Sequence, residues 1–168
     1  PSGATQDRRV WVEVEARDSD GAVLYSSGKI DEGTPVTVHE LDDPDLWRLG
    51  SKGYDSNGDH AHMFWDIASM TSELLLAPTA FSPLDPDFID VHRRKNYLYV
   101  GPAPAEVSMK VHVRPVGLDF LQDLVDSGDL DPVHLSAIET LTLKSTDLTW
   151  TPDLGTTCYP PDHDPAGI

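Results

Sequence analysis

The sequence predicts a mainly β protein, a β-sandwich with a short helical insertion near its C-terminal end. Three observations predict this class: stretches that alternate apolar and polar residues, turn-forming residues between them, and one stretch with helical spacing. A chain of 168 residues is long enough to form one domain with its own core. We expect the sandwich to span residues 1–150 and the proline-rich residues 151–168 to form a tail.

The first predicted element is a β-hairpin. Its first strand alternates Val10, Val12, Val14 and Ala16 with Trp11, Glu13, Glu15 and Arg17. A period of two lets one row be buried while the other row faces solvent. The turn is expected at Asp18–Gly21, because Gly tolerates positive φ and Asp tolerates the left-handed region, and Ala22–Ser26 would form the returning strand.

The middle of the chain is rich in turn signals. Residues 28–44 are predicted to form a loop, with a short extended piece at Val36–His39. A second turn is expected at Asp55–Gly58, followed by an alternating strand at His60–Asp66. Three prolines predict a surface loop at Pro78–Asp90.

Two further strands are predicted in the second half. Val107–Val113 alternates cleanly, and Leu141–Trp150 is expected to form the last strand. In the first of these, the predicted buried residues are Val107, Met109, Val111 and Val113, and the predicted exposed residues are Ser108, Lys110 and His112.

The helical insertion lies between these two strands. Apolar residues recur at three- and four-residue spacing, so Leu118–Ser127 is predicted to be an amphipathic helix that ends at Gly128. A second short helix is expected at Pro132–Ile138, with Asp131 as its N-cap.

Charge limits the classes of partner. The chain has 12 Lys and Arg against 29 Asp and Glu, a formal net charge of −17. Such a field repels phosphate backbones and anionic lipid surfaces, so nucleic acid and membrane surfaces are not expected partners. The charge indicates either solubility in a salty or extracellular setting or a cationic partner. No apolar run is long enough to predict a membrane span.

The sequence contains one candidate metal site. His60 and His62 would share one strand face with Asp66, and two imidazoles at i and i+2 form half of a zinc, copper or iron site. A third ligand from elsewhere would be needed, and solvent-facing histidines on an acidic strand are the alternative. Calcium is a weaker candidate at Asp55–Asp66, because His60 stands where a calcium loop needs Gly and Asp66 where it needs Glu. Similar acidic turns occur at Asp18–Asp20 and Asp85–Asp87.

Signatures of catalysis are missing from the sequence. It has no Gly-x-Ser-x-Gly elbow, no phosphate-binding loop and no dinucleotide-binding glycine motif. Cys158 is the only cysteine, so an internal disulfide and a covalent Cys-x-x-Cys-His haem site are both excluded within these residues. We therefore predict a noncatalytic protein without covalently bound haem.

Residues 1–28 carry a resemblance to a known family. Pro1-Ser-Gly leads through Arg8-Arg9-Val10-Trp11 into a strand of the Trp-x-Glu-Val kind, and the hairpin closes with Ser27-Gly28. This segment resembles the immunoglobulin-like domain that accompanies the haem-binding part of exported multihaem c-type cytochromes. The likeness continues more loosely through Tyr54–Gly58, His60–Asp66 and Val107–Pro115. In that family a Gly-His pair precedes this motif, so the chain is expected to be a processed product or a fragment.

The resemblance implies an immunoglobulin-like β-sandwich located in the periplasm or outside the cell. Its partner would be the haem-binding region or a cytochrome, and haem would be held there, with a histidine of this chain as a candidate axial ligand. Completion of the first strand by a segment upstream or by another chain is also expected. The alternatives are a small metal-binding protein or metalloenzyme using His60, His62 and Asp66, and a carbohydrate- or surface-binding module.

Overall fold

The computed structural model describes residues 8–61, 63, 65–72, 82, 84 and 95–155. Within them the chain is mainly β, as predicted, and its strands form two antiparallel sheets. The strands are β1 (Arg9–Arg17), β2 (Val23–Ser27), β3 (Trp47–Arg48), β4 (Ser51–Tyr54), β5 (Ser69–Ser72), β6 (Glu106–Arg114), β7 (Leu141–Thr142) and β8 (Leu148–Trp150). The α-helices are α1 (Val36–Asp42) and α2 (Leu118–Asp126), and 3₁₀ turns lie at Pro132–Ala137, Lys144–Thr146 and Pro152–Leu154.

The β1–β2 hairpin confirms the first prediction. Its turn is held by the Asp18 carboxylate, which accepts hydrogen bonds from the backbone N–H of Asp20 at 2.9 Å and of Ala22 at 2.8 Å. Gly21 adopts a φ of +83°, the conformation for which Gly was predicted at this turn.

Strand β1 lies in the middle of the larger sheet. One of its edges pairs with β6 along its whole length, from Arg9 opposite Arg114 to Arg17 opposite Glu106. The other edge pairs with β2 and, nearer the start of the strand, with β3. The expectation that β1 presents an open edge is therefore wrong, because β2 and β3 cover one edge and β6, which is distant in sequence, covers the other.

Both faces of β1 are buried, so the prediction that its second row faces solvent is wrong. Trp11 is 1% exposed and Glu15 is 7% exposed. Trp11 packs against Val36 of α1 and against Leu46, and Ile30 borders the same cluster. The sequence period of two identifies the two rows of β1, but the burial of the second row depends on what packs against it.

Three buried arginines surround Trp11 on this face of the sheet: Arg9, Arg48 and Arg114. The Arg9 guanidinium lies 2.8 Å from the carboxylate of Asp119 in α2, and Arg48 lies 3.3 Å from the carboxylate of Glu40 in α1. The two helices are thus attached to the sheet by buried ion pairs as well as by apolar contacts.

Helix α1 replaces the extended piece predicted at Val36–His39, and that prediction is wrong. The helix begins after Pro35, whose φ of −61° suits a helix start. Val36 is completely buried in the cluster around Trp11. This tertiary contact outweighs the weak helix propensity of a Val-Thr-Val segment.

The helical insertion after β6 is confirmed in outline. Helix α2 covers Leu118–Asp126, and the chain leaves it at Gly128, whose φ is +84°. Asp131 caps the following 3₁₀ turn by accepting a hydrogen bond from the backbone N–H of Val133. The predicted last strand is wrong as one element, because the 3₁₀ turn at Lys144–Thr146 divides it into β7 and β8.

Two other predictions concern the exposure of His112 and the strand expected at His60–Asp66. His112 of β6 is only 9% exposed, so its predicted exposure is wrong. The predicted strand at His60–Asp66 is also wrong in its described part, since only His60 makes a β-bridge and Asp66 closes a turn with Met63. In the described residues we find no helix whose length and apolarity would let it cross a lipid bilayer.

Candidate functional site

The small sheet formed by β4 and β5 carries the candidate site. The turn after β4 is built around Asp55, whose carboxylate accepts hydrogen bonds from the backbone N–H of Asn57 at 2.7 Å and of Asp59 at 2.9 Å. Gly58 allows the turn to close because it adopts a φ of +90°. The predicted turn at Asp55–Gly58 is confirmed, and its geometry is held by the side chain of its first residue.

The connection from this turn to β5 is attached to β4 at both ends. Ala61 donates its backbone N–H to Gly53 at 3.0 Å, and Ala68 donates to Tyr54 at 2.8 Å. A Cβ at Gly53 would lie 2.8 Å from a side-chain carbon of Ile67, so the absence of a side chain lets this connection pack directly on the strand. The ring of Tyr54 stacks on that of His60, with centroids 5.0 Å apart.

This connection encloses an open groove of about 510 Å³, which we call the Trp65 groove. Residues lining it include Asp55, Ser56, His60, Trp65, Asp66 and Ile67. The Trp65 side chain is 78% exposed there. The volume lies within the range of roughly 300–1,000 Å³ that is typical of small-ligand sites.

The carboxylates of the groove differ in their surroundings. Backbone hydrogen bonds from Asp59 and Asn57 hold the pKa of Asp55 below its ordinary value, because they favour the ionised form. The same hydrogen bonds commit Oδ1 of Asp55 to the turn, and its Oδ2 accepts a hydrogen bond from the side-chain amide of Asn57 at 3.3 Å. Asp66 is exposed at the other side of the groove and is the carboxylate more available to a ligand.

The structure brings together two of the three predicted metal ligands. His60 and Asp66 line the same groove, and His62 lies outside the described residues. Within the residues that are described, no group of three or more His, Cys, Asp or Glu side chains could hold a metal ion. Metal binding at His60, His62 and Asp66 therefore stays a prediction.

The predicted calcium positions have other roles where they are described. Asp55 and Asp18 each use one carboxylate oxygen, Oδ1, to hold the backbone of their own turn. Asp85 and Asp87 fall outside the described residues, as does Cys158.

The described histidines have different environments. His39 lies 3.5 Å from the carboxylate of Asp43, His60 lines the Trp65 groove, and His134 is exposed. His112 is buried in the larger sheet. The histidines at 62, 92 and 163 fall outside the described residues.

His112 belongs to a polar row that the sequence patterns did not reveal. Its Nε2 lies 3.0 Å from the carboxylate of Glu13, and its Nδ1 lies 3.0 Å from the hydroxyl of Thr142. A hydroxyl, an imidazole and a carboxylate in this order are also used in nucleophilic catalysis. Here the ring is 9% exposed and packs 5.3 Å from that of Trp11, so the row links β1, β6 and β7 within the sheet. The register of β1 on β6 was the signal that could have found it.

Sequence reasoning also placed Trp65 wrongly. The predicted strand at His60–Asp66 puts Trp65 in extended structure, whereas the structure places it in a surface turn. Comparison of the chain with models of known protein families, with curated proteins and with solved structures finds no match.

Proposed function

We propose that this chain is a noncatalytic accessory domain that docks against a positively charged partner, the haem-binding part of a multihaem c-type cytochrome or a separate cytochrome. The resemblance of residues 1–28 to domains of exported multihaem cytochromes supports this partner and a location in the periplasm or outside the cell. Residues 9–27 of that segment form the hairpin that the resemblance implies. An immunoglobulin-like β-sandwich is part of the same proposal.

The placement of charge is the observation that carries the proposal. Arg9, Arg48 and Arg114 are buried on one face of the sheet, and Arg9 and Arg48 pair there with Asp119 and Glu40. Three of the 12 basic residues are thus used inside the domain, while most described carboxylates are exposed. A surface of this kind favours association with a basic protein over an acidic one.

One part of this surface carries a cluster of carboxylates. Four exposed carboxylates lie at the C-terminal end of α2 and in the turns after it. We call them the acidic patch: Asp123, Asp126, Asp129 and Asp131. The helix dipole is negative at this end, so a carboxylate there costs about 0.3–1 kcal/mol. The last turn of α2 contains no basic residue. We infer that the acidic patch is the docking surface.

Binding to a basic c-type cytochrome tests the proposal, with the lysine-acetylated form of that cytochrome as the neutral control. We compare D123N/D126N/D129N/D131N with the matched variant D20N/E106Q/E139Q/D147N, which removes the same number of charges from scattered exposed sites. Calorimetry at about 20 mM and about 200 mM NaCl measures affinity and its salt dependence.

We expect the acidic-patch variant to lose about tenfold in affinity and the matched variant only about twofold, because charges at the contact act over the shortest distances. The acetylated cytochrome should not bind. Equal weakening by both variants, or no binding of the unaltered chain at low salt, would contradict the proposal. Asn at these four positions keeps an oxygen for capping the turn after Asp131, so the variant is expected to fold.

A metal-binding function is the second candidate, favoured by the convergence of His60 and Asp66 on one groove. If it holds, zinc or copper should raise the melting temperature, since a ligand bound only by the native state stabilises it. His60→Ala should abolish that rise, whereas the exposed His134→Ala should not. Absence of metal by elemental analysis, together with no rise at millimolar zinc, would retire this candidate.

A further inference from the structure

We infer that the Trp65 groove is a carbohydrate-binding site in which one sugar ring stacks on the indole of Trp65. The inference rests on the side chains of the groove and is independent of the docking proposed for the acidic patch. It also requires no metal, which separates it from the second candidate function.

The exposure of Trp65 is the first observation that supports a carbohydrate site. An indole that is 78% exposed leaves a large apolar face in water, although a Trp side chain is among the most favourable to bury. The backbone N–H of Asp66 donates a hydrogen bond of 2.9 Å to the carbonyl of Met63, so Trp65 lies beside a bonded turn. An aromatic side chain in a concave site beside a few polar groups is typical of a small-ligand site.

The polar groups around Trp65 are the second observation that supports a carbohydrate site. Asp66 offers carboxylate oxygens, Ser56 offers a hydroxyl, and His60 offers an imidazole, all lining the same groove. These groups combine hydrogen-bond acceptors and donors within one small space. A pyranose ring has the complementary chemistry, because its C–H face is apolar and its rim carries hydroxyl groups that both donate and accept.

The rigidity of the Trp65 groove is the third observation that supports a carbohydrate site. The Asp55 turn is fixed by two side-chain hydrogen bonds, and the loop is bonded to β4 through Ala61 and Ala68. His60 is held against Tyr54 by ring stacking and by a β-bridge. A ligand therefore meets groups that are already positioned, which reduces the conformational entropy lost on binding.

Other ligand classes fit less well. The bases of nucleotides also stack on tryptophan, but the phosphates of a nucleotide would be repelled by a chain of net charge −17. A quaternary ammonium ion is normally enclosed by several aromatic faces, whereas Trp65 is joined in the described lining only by the imidazole of His60. The Asp55 carboxylate is committed to its turn, which leaves Asp66 as the available counter-charge.

Titration with four oligosaccharides tests the inference: cellohexaose, xylohexaose, mannohexaose and chitohexaose, each at millimolar concentration and with EDTA present. Calorimetry measures affinity, and tryptophan fluorescence reports contact with an exposed indole. We expect at least one of them to bind and to change the fluorescence. Trp65→Ala should weaken that binding by at least about tenfold, because the stacking platform is removed.

Two controls make the outcome decisive. Trp150→Phe alters a tryptophan of β8 whose Nε1 bonds to Gly155, away from the groove, and should leave the affinity unchanged. Asp66→Asn keeps the indole and should weaken binding by a smaller factor than Trp65→Ala, which guards against a folding defect in the alanine variant. Failure of all four sugars to bind, binding that appears only when EDTA is omitted, or equal affinity of Trp65→Ala would each overturn the inference. Choline is titrated in parallel, and binding of choline in place of a sugar would also overturn it.

Discussion

The guanidinium of Arg114 is completely buried between β6 and the loop that precedes α1. It donates hydrogen bonds to the backbone carbonyls of Asp31 and Thr34 and to the hydroxyl of Thr140. Its carbon Cζ lies 5.3 Å from the Trp11 ring centroid, within cation–π distance. Single polar side chains thus hold loops against the sheet in places where few apolar residues do so.

Gly28 illustrates a second residue-level constraint. Its φ is +76°, and a Cβ there would lie 2.1 Å from the carbonyl oxygen of Val12. Gly33 has a similar φ of +82°, but a Cβ at that position would have no atom of the described residues within 4 Å. Both positions disfavour a side chain through their φ, and only Gly28 adds a clash with the backbone of the central strand.

We predict that Gly28→Ala lowers the free energy of unfolding by about 3 kcal/mol, and Gly33→Ala by about 1 kcal/mol. The difference arises because Gly28 must move away from β1 and weaken the hydrogen bond of 3.0 Å that its carbonyl accepts from Trp11. Urea unfolding of the two variants measures both values. Equal losses would show that the close approach to Val12 has no energetic consequence.

Tyr25 and Tyr97 provide a matched pair of hydroxyls. Tyr25 donates a hydrogen bond of 2.8 Å to Asp45, whereas the buried hydroxyl of Tyr97 has no hydrogen-bond partner in the described part of the chain. Their rings pack edge to face with centroids 6.2 Å apart. Burial, with the nearby charges of Asp43 and Asp45, raises the pKa of Tyr97 to about 12.

We predict that Tyr97→Phe raises the free energy of unfolding by about 1 kcal/mol, while Tyr25→Phe lowers it by about 1 kcal/mol. The first change removes a buried group without a partner, and the second breaks a hydrogen bond. Because the pKa of Tyr97 is raised to about 12, the folded state holds this proton more tightly than the unfolded state, so the free energy of unfolding falls as pH rises from about 10 towards about 12. Tyr97→Phe should therefore flatten the alkaline part of the stability profile, and an unchanged profile would contradict this assignment.

At the scale of elements, the two sheets differ in how firmly their strands are held. Strand β1 is paired along both edges and has both faces buried. Strand β5 is exposed at all four of its residues and, in the described part of the chain, pairs only with β4. Strands with fewer buried contacts open locally at lower free energy.

We therefore predict slow amide exchange across residues 11–16 of β1 in the monomeric chain, approaching the rate set by global unfolding. Residues 69–72 of β5 should exchange much faster through local opening. Hydrogen exchange followed by mass spectrometry measures both segments in one sample. Fast exchange in β1 of a monomer would mean that its pairing with β6 and β2 is not the stable arrangement.

The elements that were predicted well are those whose pattern is local. The β1–β2 hairpin has its turn residues at Asp18–Gly21, and α2 has apolar residues at helical spacing followed by Gly128. Helix α1 was missed because Val36 is helical through its contact with Trp11, 25 positions away by sequence number. In the candidate site, the Asp55 turn was predicted, whereas the exposure of Trp65 depends on a loop path that no short pattern encodes.

At the scale of the whole molecule, repulsion among exposed carboxylates opposes folding. Salt screens the repulsion that arises from the net charge of −17. The buried pairs Arg9–Asp119 and Arg48–Glu40 are screened much less. Raising NaCl should therefore stabilise this protein rather than weaken it.

We predict that the melting temperature rises by a few degrees between about 10 mM and about 200 mM NaCl. The D123N/D126N/D129N/D131N variant should show a higher melting temperature at low salt and a smaller rise, because it has lost a concentrated part of the repulsion. Differential scanning calorimetry measures both chains. A fall in melting temperature with salt would indicate that surface ion pairs, and not repulsion, dominate the electrostatics.

The sequence by itself determined the β-rich class, the first hairpin, strand β6, helix α2, the Asp55 turn and the acidic charge, because each of these follows from residues that are neighbours in the chain. Only the tertiary structure decided which faces are buried and which side chains meet. Arg9 reaches Asp119 across 110 positions and Glu13 reaches His112 across 99, and such contacts depend on how β1 pairs with β6. Burial is a property of this packing, so the same alternation that identified the two rows of β1 could not reveal that both would be covered.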